Sequence, residues 1–451
     1  MYRRTYLDRE SLEWRDENKQ CADLIEDYER RLRKSGLIDF DDMVLLGLRL
    51  VETHPWVRKV LAARFPALVV DEYQDLGLTL HRLVISLCFS PNSKCRLFAV
   101  GDPDQSIYSF TGAQPELLQN LAENELVQKV HLRLNYRSRS NIVTASEVAL
   151  GESRGYEAAT GEGGVIEFHK CSNGLQHQAM HACEELIPRV LKSGMARSIG
   201  EIAILYRDKN QGDVAAECAA AAALQFVRSD ANAPYRCTPM TMWLEICAAW
   251  CVSGWKVGEP GLSELLAKWR AFNGSTTSDN ENLDSCRKLV GFLFSHRDTK
   301  KSLGEWLNGL NKSCLEGLFE REPMLGDEAL KVAGIMSLCE KGKKLAEWSV
   351  GQFGGQGGSP DHLNLMTFHS AKGLEFDVVF MIGLDQGVIP NYRESSPASK
   401  REPRRLFYVA LTRARHEVHM MYSGWRDSPY GRKSDGPSEF LLEVQRSVSG
   451  K

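Results

Sequence analysis

Along residues 18–35 (NKQCADLIEDYERRLRKS) apolar side chains recur at helical spacing with mixed charges on the opposite face, and Gly36 supplies a stop. That pattern predicts a surface helix. A second helix is expected after Asp39. The periodicity then changes: Pro66 introduces ALVVDEYQD, a short apolar run ending in carboxylates, and RLFAVGDPDQ repeats the design at residues 96–105. Such runs predict parallel strands buried on both faces, here Ala67 to Val70 and Arg96 to Val100. VIEFHK, EIAILYR, VVFMIGL and HEVHMMYSG add further strand signals with helical stretches between them. The predicted architecture is α/β with parallel sheets.

Residues 236–350 break this rhythm. Strand-like runs vanish, and segments rich in Trp, Leu, Cys and Lys take over (TPMTMWLEICAAWCVSGW, LSELLAKWRAF, DSCRKLVGFLF, LKVAGIMSLCEKGKKLAEW), predicting an all-helical insertion. It closes on SVGQFGGQGGSPD, where five glycines fall within eight residues. No Lys-Ser/Thr pair follows them, so the stretch predicts a flexible linker and not a phosphate loop.

At 451 residues the chain exceeds the roughly 250–300 residues at which single cores stop growing, so two or more domains are expected. With 43% hydrophobic and 25% charged residues and no run near the roughly 18 apolar residues of a membrane span, a membrane protein is excluded from the reading. The opening MYRRTYLDRESLEWRDENKQ has no apolar core behind its arginines, so a cytoplasmic protein is expected. The 12 cysteines are scattered without CxxC pairs and read as reduced thiols. Cys247 and Cys251 stand four apart on an expected helix, the spacing of core packing or of a helix-face metal pair. A net charge of -3 confines any nucleic-acid contact to a local channel.

Chemistry concentrates at the ends of the strand signals. Asp71 and Glu72 close an apolar strand, where open α/β sheets present groups to a ligand crevice. Adjacent carboxylates there suit a magnesium nucleotide, the first for the metal and the second as base for the attacking water; a solvated turn is the plainer alternative. The next strand ends at Gln105, a residue type able to sense a γ-phosphate, followed by Tyr108 and Phe110, which can stack nucleobases or simply pack the loop. Arg137 in NYRS and Arg413 in LTRAR are candidates for stabilising phosphoryl transfer, or else ion-pair partners. In TFHSAKGLEF, His369, Ser370 and Lys372 can contact the phosphates of a strand and Glu375 a ribose hydroxyl.

Read in order, DEYQD, VGDPDQSIYSFTGA, LNYRS, TFHSAKGLEF and RRLFYVALTRAR resemble motifs II through VI of the UvrD, PcrA and Rep family of superfamily 1A DNA helicases, with GLIDFDDM matching the lead-in. The resemblance runs from about Gly36 to about Tyr422. It implies two RecA-like, P-loop NTPase-type domains that clamp ATP and Mg2+ and move 3′ to 5′ along single-stranded or partly duplex DNA. The implied layout is 1–35, a remnant of a helical insertion; 36–134, a remnant of the first RecA-like domain; 135–235 and 359–451, the two parts of the second; and 236–358, its helical insertion and linker. Carried across, Asp71 holds magnesium and Glu72 is the base. Gln105, Arg137 and Arg413 reach the γ-phosphate, and Glu375 the ribose. Tyr108, Phe110 and His369 line the DNA path.

The sequence departs from the family at Ser109-Phe110-Thr111, where Gly-Trp-Arg is usual, and at Glu402-Pro403, where two glutamates are usual. Thr111 loses a cation, while Phe110 can still stack. The family's phosphate loop belongs ahead of Gly36, yet no G-x-x-x-x-G-K-[ST] occurs in the chain. The sequence therefore predicts weak ATP binding and a first domain that is incomplete, to be completed by another chain or a longer reading frame. The alternative is an ATPase-deficient, helicase-derived DNA-binding or scaffold protein. A third reading is one subunit of a nuclease-helicase complex.

Overall fold

The computed structural model of the chain describes residues 22–91, 93–228, 235, 238–257, 260–274, 278–298, 300–354, 362–428 and 431–450. The chain divides into two compact units, Met1–Arg133 with Ser396–Tyr408, and Leu134–Ser395 with Val409–Lys451.

In the first unit, the helix expected over 18–35 is described over Ala22–Lys34, its first four residues lying outside the described ones. The helix Phe40–Thr53 starts where the sequence placed it. Asp39 accepts from the Asp42 backbone N–H, and the Asp42 side chain accepts in return, which satisfies two donors that the first turn leaves without partners. Strands β1 (Ala67–Val70) and β2 (Arg96–Ala99) pair in parallel, Ala67 opposite Arg96 and Val70 opposite Ala99.

Read as buried on both faces in a complete domain, and as exposing apolar surface without the neighbouring strands, the two strands are covered on one face among the described residues. Leu68, Val70, Leu97 and Ala99 pack with Tyr73, Val84 and Leu121, but their alternates point away from this core. Val69 is 67% exposed and its cross-strand partner Phe98 is 65% exposed. Continuous apolar sequence did not distinguish a strand covered on both faces from one covered on one, because in either case every residue is apolar.

The second unit is built on a six-stranded parallel sheet, in the order β5 (Val165–Lys170), β10 (Ala414–Tyr422), β9 (Phe376–Met381), β6 (Ile202–Tyr206), β8 (Leu363–Thr367) and β7 (Phe226–Arg228). A separate parallel pair, β3 (Leu134–Asn135) and β4 (Glu157–Ala158), stands beside the turn that carries Arg137. All of β6 and β9 is buried, as apolar strands covered by helices on both faces should be. The four strand signals of the sequence correspond to β5, β6, β9 and β10. β3, β4, β7 and β8 were not expected. β8 (LNLMT) carries a polar Asn364 whose side chain, buried in the sheet, donates to the Gly200 and Ile202 carbonyls at 2.8 and 3.1 Å.

Between residues 238 and 354 the described residues form helices and no strand, as the loss of strand signal predicted. Thr238 caps the helix Pro239–Ala249 in a reciprocal capping box with Thr241, and Pro239 fits the first turn, where no N–H is needed. Trp243 and Trp269 stack with ring centroids 5.1 Å apart at the centre of a core of their own. Cys247 and Cys251 are both fully buried in it, and burial raises both thiols, Cys251 to about 12. They pack the core, and all ten cysteines among the described residues are free. The glycine-rich stretch divides. Val350–Gly354 is a buried helix, correcting the linker expectation there, while residues 355–361 lie outside the described ones. A Cβ at Gly354 would sit 2.5 Å from the Ala249 nitrogen, so this glycine exists to let two helix backbones touch.

Candidate functional site

The carboxyl ends of β1 and β2 are joined by one buried side chain, Gln74. It is fully buried, its Oε1 accepts from the Asp102 N–H at 2.9 Å, its backbone carbonyl accepts from the Ser106 hydroxyl at 3.3 Å, and its amide donates to Glu72 Oε2. The loop beyond β2 approaches so closely that a Cβ at Gly101 would lie 2.5 Å from Gln74 Oε1. Glycine is required there by contact.

Around this strut stand the first unit's expected residues. Asp71 and Glu72 are exposed at the strand end, and Glu72 holds a left-handed backbone (φ 51, ψ 43) that costs a non-glycine residue about 1–3 kcal/mol. The Glu72 N–H donates to Asp71 Oδ1 at 2.9 Å, while the Glu72 carboxylate accepts from the Gln74 amide. Gln105 donates to Asp102 Oδ2 at 2.8 Å, while Asp102 Oδ1 caps the short turn Pro103–Gln105. Tyr108 and Phe110 form an edge-to-face pair with centroids 5.9 Å apart, Phe110 well exposed. Burial raises the Tyr108 phenol, and the negative charges of Asp75 and Glu72 add to it. Ser109 donates its backbone N–H at 3.2 Å and its hydroxyl to Glu402, so the two departures from the family motifs meet in one contact.

In the second unit the expected residues separate into two groups. At the amino ends of β9 and β10, Arg137 Nε donates to Glu375 Oε2 at 2.5 Å, and its Nη1 reaches the Thr412 carbonyl at 3.4 Å. Asn135 shapes that turn by accepting from the N–H groups of Arg137 and Ser138 at 2.8 and 2.9 Å. Glu375 also accepts from Arg415 at 2.6 Å, and Arg415 in turn pairs with Glu201 at 3.0 Å and Asp377 at 3.1 Å. The hydrogen bond from Arg415, with the lesser pull of Arg137, holds the Glu375 carboxyl below its ordinary range against the opposing effect of burial. Arg413 is 1% exposed and donates to the Val409 and Leu374 carbonyls at 2.9 and 3.2 Å and to the Thr412 hydroxyl at 3.1 Å.

His369 and Ser370 lie instead beyond the carboxyl end of β8, where the Phe368 N–H bonds the Tyr206 carbonyl. Both groups draw on the turn that connects the end of β8 at Thr367 to the start of β9 at Phe376, His369 and Ser370 near its beginning and Glu375 at its end. Thr367 fixes the turn, its hydroxyl 2.8 Å from that of Ser370, and the Lys372 N–H closes onto the His369 carbonyl at 3.2 Å. Burial, assisted by the charge of Arg207, lowers the His369 imidazole to about 4.

Sequence reasoning gave no role to Gln74, Asp102 or Arg415. A buried glutamine between two strand-end motifs gives no periodic signal. Arg415 was visible two residues beyond Arg413 but had no partner until Glu375 and Asp377 were placed beside it.

Residues 3–125 match the UvrD/REP helicase N-terminal domain, and residues 353–424 match the UvrD-like helicase C-terminal domain. The chain is 28% identical to the ATP-dependent DNA helicase PcrA of Bacillus subtilis over 94% of its own length and 64% of that protein. To the ATP-dependent DNA helicase Rep of Escherichia coli it is 26% identical, over 92% of its length and 69% of Rep. To the ATP-dependent DNA helicase UvrD2 of Mycobacterium tuberculosis it is 29% identical, over 94% of its length and 57% of that relative. The chain thus spans about two thirds or less of the length of these relatives. No helix among the described residues is long and apolar enough to cross a membrane. With amino- and carboxyl-terminal family domains in order and the motif residues seated at strand ends of parallel sheets, the chain belongs to the UvrD/Rep-like helicase family.

Proposed function

We propose that the chain carries most of the motor of an ATP-dependent DNA helicase that moves 3′ to 5′ on single-stranded DNA in repair or recombination. The supporting observation is the coupling of the Asp71–Glu72 strand end to the Gln105 loop through Gln74, since a motor needs its hydrolytic carboxylates and its phosphate sensor to move as one piece. Asp71 and Glu72 offer exposed, all-oxygen donors of the kind a hard cation such as Mg2+ takes, and Asp71 is the assigned ligand. Bound there, the ion would offset the negative charge of the ATP phosphates. Glu72 accepts the proton of the attacking water, and Gln105 orients that water. Arg137 and Arg413 serve the γ-phosphate, and Glu375 the ribose. Tyr108 and Phe110 stack bases, while His369, Ser370 and Lys372 hold the backbone of the strand. No G-x-x-x-x-G-K-[ST] phosphate loop occurs in these 451 residues, so on this reading a segment outside them, in the same polypeptide or in a partner chain, cradles the phosphates.

A second reading, an ATPase-deficient DNA-binding or scaffold protein, draws on one observation. Glu375 is engaged by two arginines, and Arg413 by two carbonyls and a hydroxyl, so these side chains are satisfied without a nucleotide. Both readings share the DNA path. Anisotropy of a labelled single-stranded oligonucleotide tests it: Phe110→Ala should weaken binding by about 1–3 kcal/mol, the value of one base-aromatic stack. Affinity unchanged in both Phe110→Ala and Lys372→Ala would remove the DNA assignment of these loops.

A further inference from the structure

On one face of the six-stranded sheet, away from every residue assigned above, three side chains converge. Glu167 and His169 are alternate residues of the edge strand β5, and His419 stands directly opposite Glu167 on β10. His169 Nε2 lies 3.1 Å from His419 Nδ1, Glu167 Oε2 lies 3.3 Å from the first nitrogen, and the same oxygen lies 3.4 Å from the second. The triangle is nearly equilateral. Zinc bound tetrahedrally to nitrogen and oxygen at about 2.0–2.1 Å has ligand-to-ligand edges of about 3.3 Å.

The surroundings fix the ring that matters most. His419 is fully buried, lies flat against Phe380 (centroids 4.6 Å apart, planes at 11°), and sets its other nitrogen, Nε2, 3.2 Å from Glu417 Oε2. Donation from Nε2 to Glu417 leaves the Nδ1 lone pair facing the triangle, the carboxylate–histidine arrangement that orients metal-binding imidazoles. Glu167 Oε2 is an acceptor too. A lone pair and a carboxylate oxygen 3.4 Å apart repel unless a positive charge lies between them. Arg189 supplies part of that charge, its Nη2 2.6 Å from the same oxygen, but from outside the triangle. Glu167 is partly exposed and opens the triangle to solvent, and His181 packs on the far side of His169 with ring centroids 5.4 Å apart.

We propose that Glu167 Oε2, His169 Nε2 and His419 Nδ1 bind a divalent transition-metal ion, zinc by donor set and geometry, with solvent as fourth ligand and Arg189 moved to the other carboxylate oxygen. The ion clips the edge strand β5 to β10. The site stands apart from the residues assigned to nucleotide and DNA.

Titration of the full chain with cobalt(II) chloride, read by the strong visible absorption of tetrahedral cobalt, and then displacement by zinc(II) chloride, tests the proposal. One equivalent should bind, and zinc should raise the thermal midpoint by several degrees. His169→Gln and Glu167→Gln, both at partly exposed positions that leave the buried ring in place, should abolish the absorption. Glu417→Gln should weaken binding about 10–100-fold, and Arg189→Gln should tighten it. Wild-type protein without a tetrahedral cobalt spectrum, or with one unchanged in folded His169→Gln and Glu167→Gln, would overturn the site. The cluster would then be a proton-bridged ion group.

Discussion

At the scale of single residues, the proposed function rests on side chains whose partners lie far away in sequence. Gln74 bridges two strand-end motifs, and its removal leaves the Asp102 N–H without its acceptor. Gln74→Ala should therefore lower stability by about 1–3 kcal/mol in denaturant unfolding, the cost of an unmet buried hydrogen bond. No measurable change would mean that the two loops are independent. His369 makes a pH prediction. Its imidazole is lowered to about 4, mainly by burial, while in an unfolded chain it titrates near ~6.5. Between those values the unfolded state binds more protons, so stability is lost as pH falls through the window. His369→Gln should flatten that loss in thermal melts between pH ~6.5 and ~4, and an unaltered slope would contradict the assignment. The placement of Asp71, Glu72, Gln105, Arg137, Arg413 and Glu375 near strand ends was legible in sequence because each sits in a short motif beside a strand signal, while their roles stand as proposed. Gln74, Asp102 and Arg415 were not legible, since only tertiary contact reveals what a buried amide or a network arginine touches.

Among the elements, β5, β6, β9 and β10 were legible because continuous apolar runs flanked by polar residues have few other uses. β8 escaped notice through Asn364, whose side-chain bonds to two backbone carbonyls make a polar residue acceptable inside a sheet. β1 and β2 were legible as apolar runs, but which of their two faces is packed was not. The directly paired Val69 and Phe98 test this. Phe98→Lys should change stability by no more than about 0.5 kcal/mol, as exposed substitutions do. Leu97→Ala, on the packed face, should cost distinctly more, and equal costs would show that both faces are covered. Gly354 carries the opposite lesson, since a residue read as linker proved to be a packing contact. Gly354→Ala should destabilise the helical segment by about 1–3 kcal/mol through overpacking against Ala248 and Ala249, visible as a lowered thermal midpoint.

For the whole molecule, the family is established by ordered motifs and matching domains, while the motor activity is inferred from how strand ends, carboxylates and arginines are arranged. Each unit holds part of the proposed site: Asp71, Glu72, Gln105, Tyr108 and Phe110 in the first, Arg137, Glu375, Arg413 and the His369 turn in the second. The most direct test is ATP hydrolysis by the natural polypeptide that carries these residues, measured with and without single-stranded DNA beside its Glu72→Gln variant. Turnover should rise with DNA and fall about 10²–10⁴-fold in Glu72→Gln, the usual contribution of a positioned base, with DNA binding retained. Turnover indifferent to DNA or to Glu72→Gln would contradict the motor, and DNA binding without any turnover would leave the scaffold reading in its place.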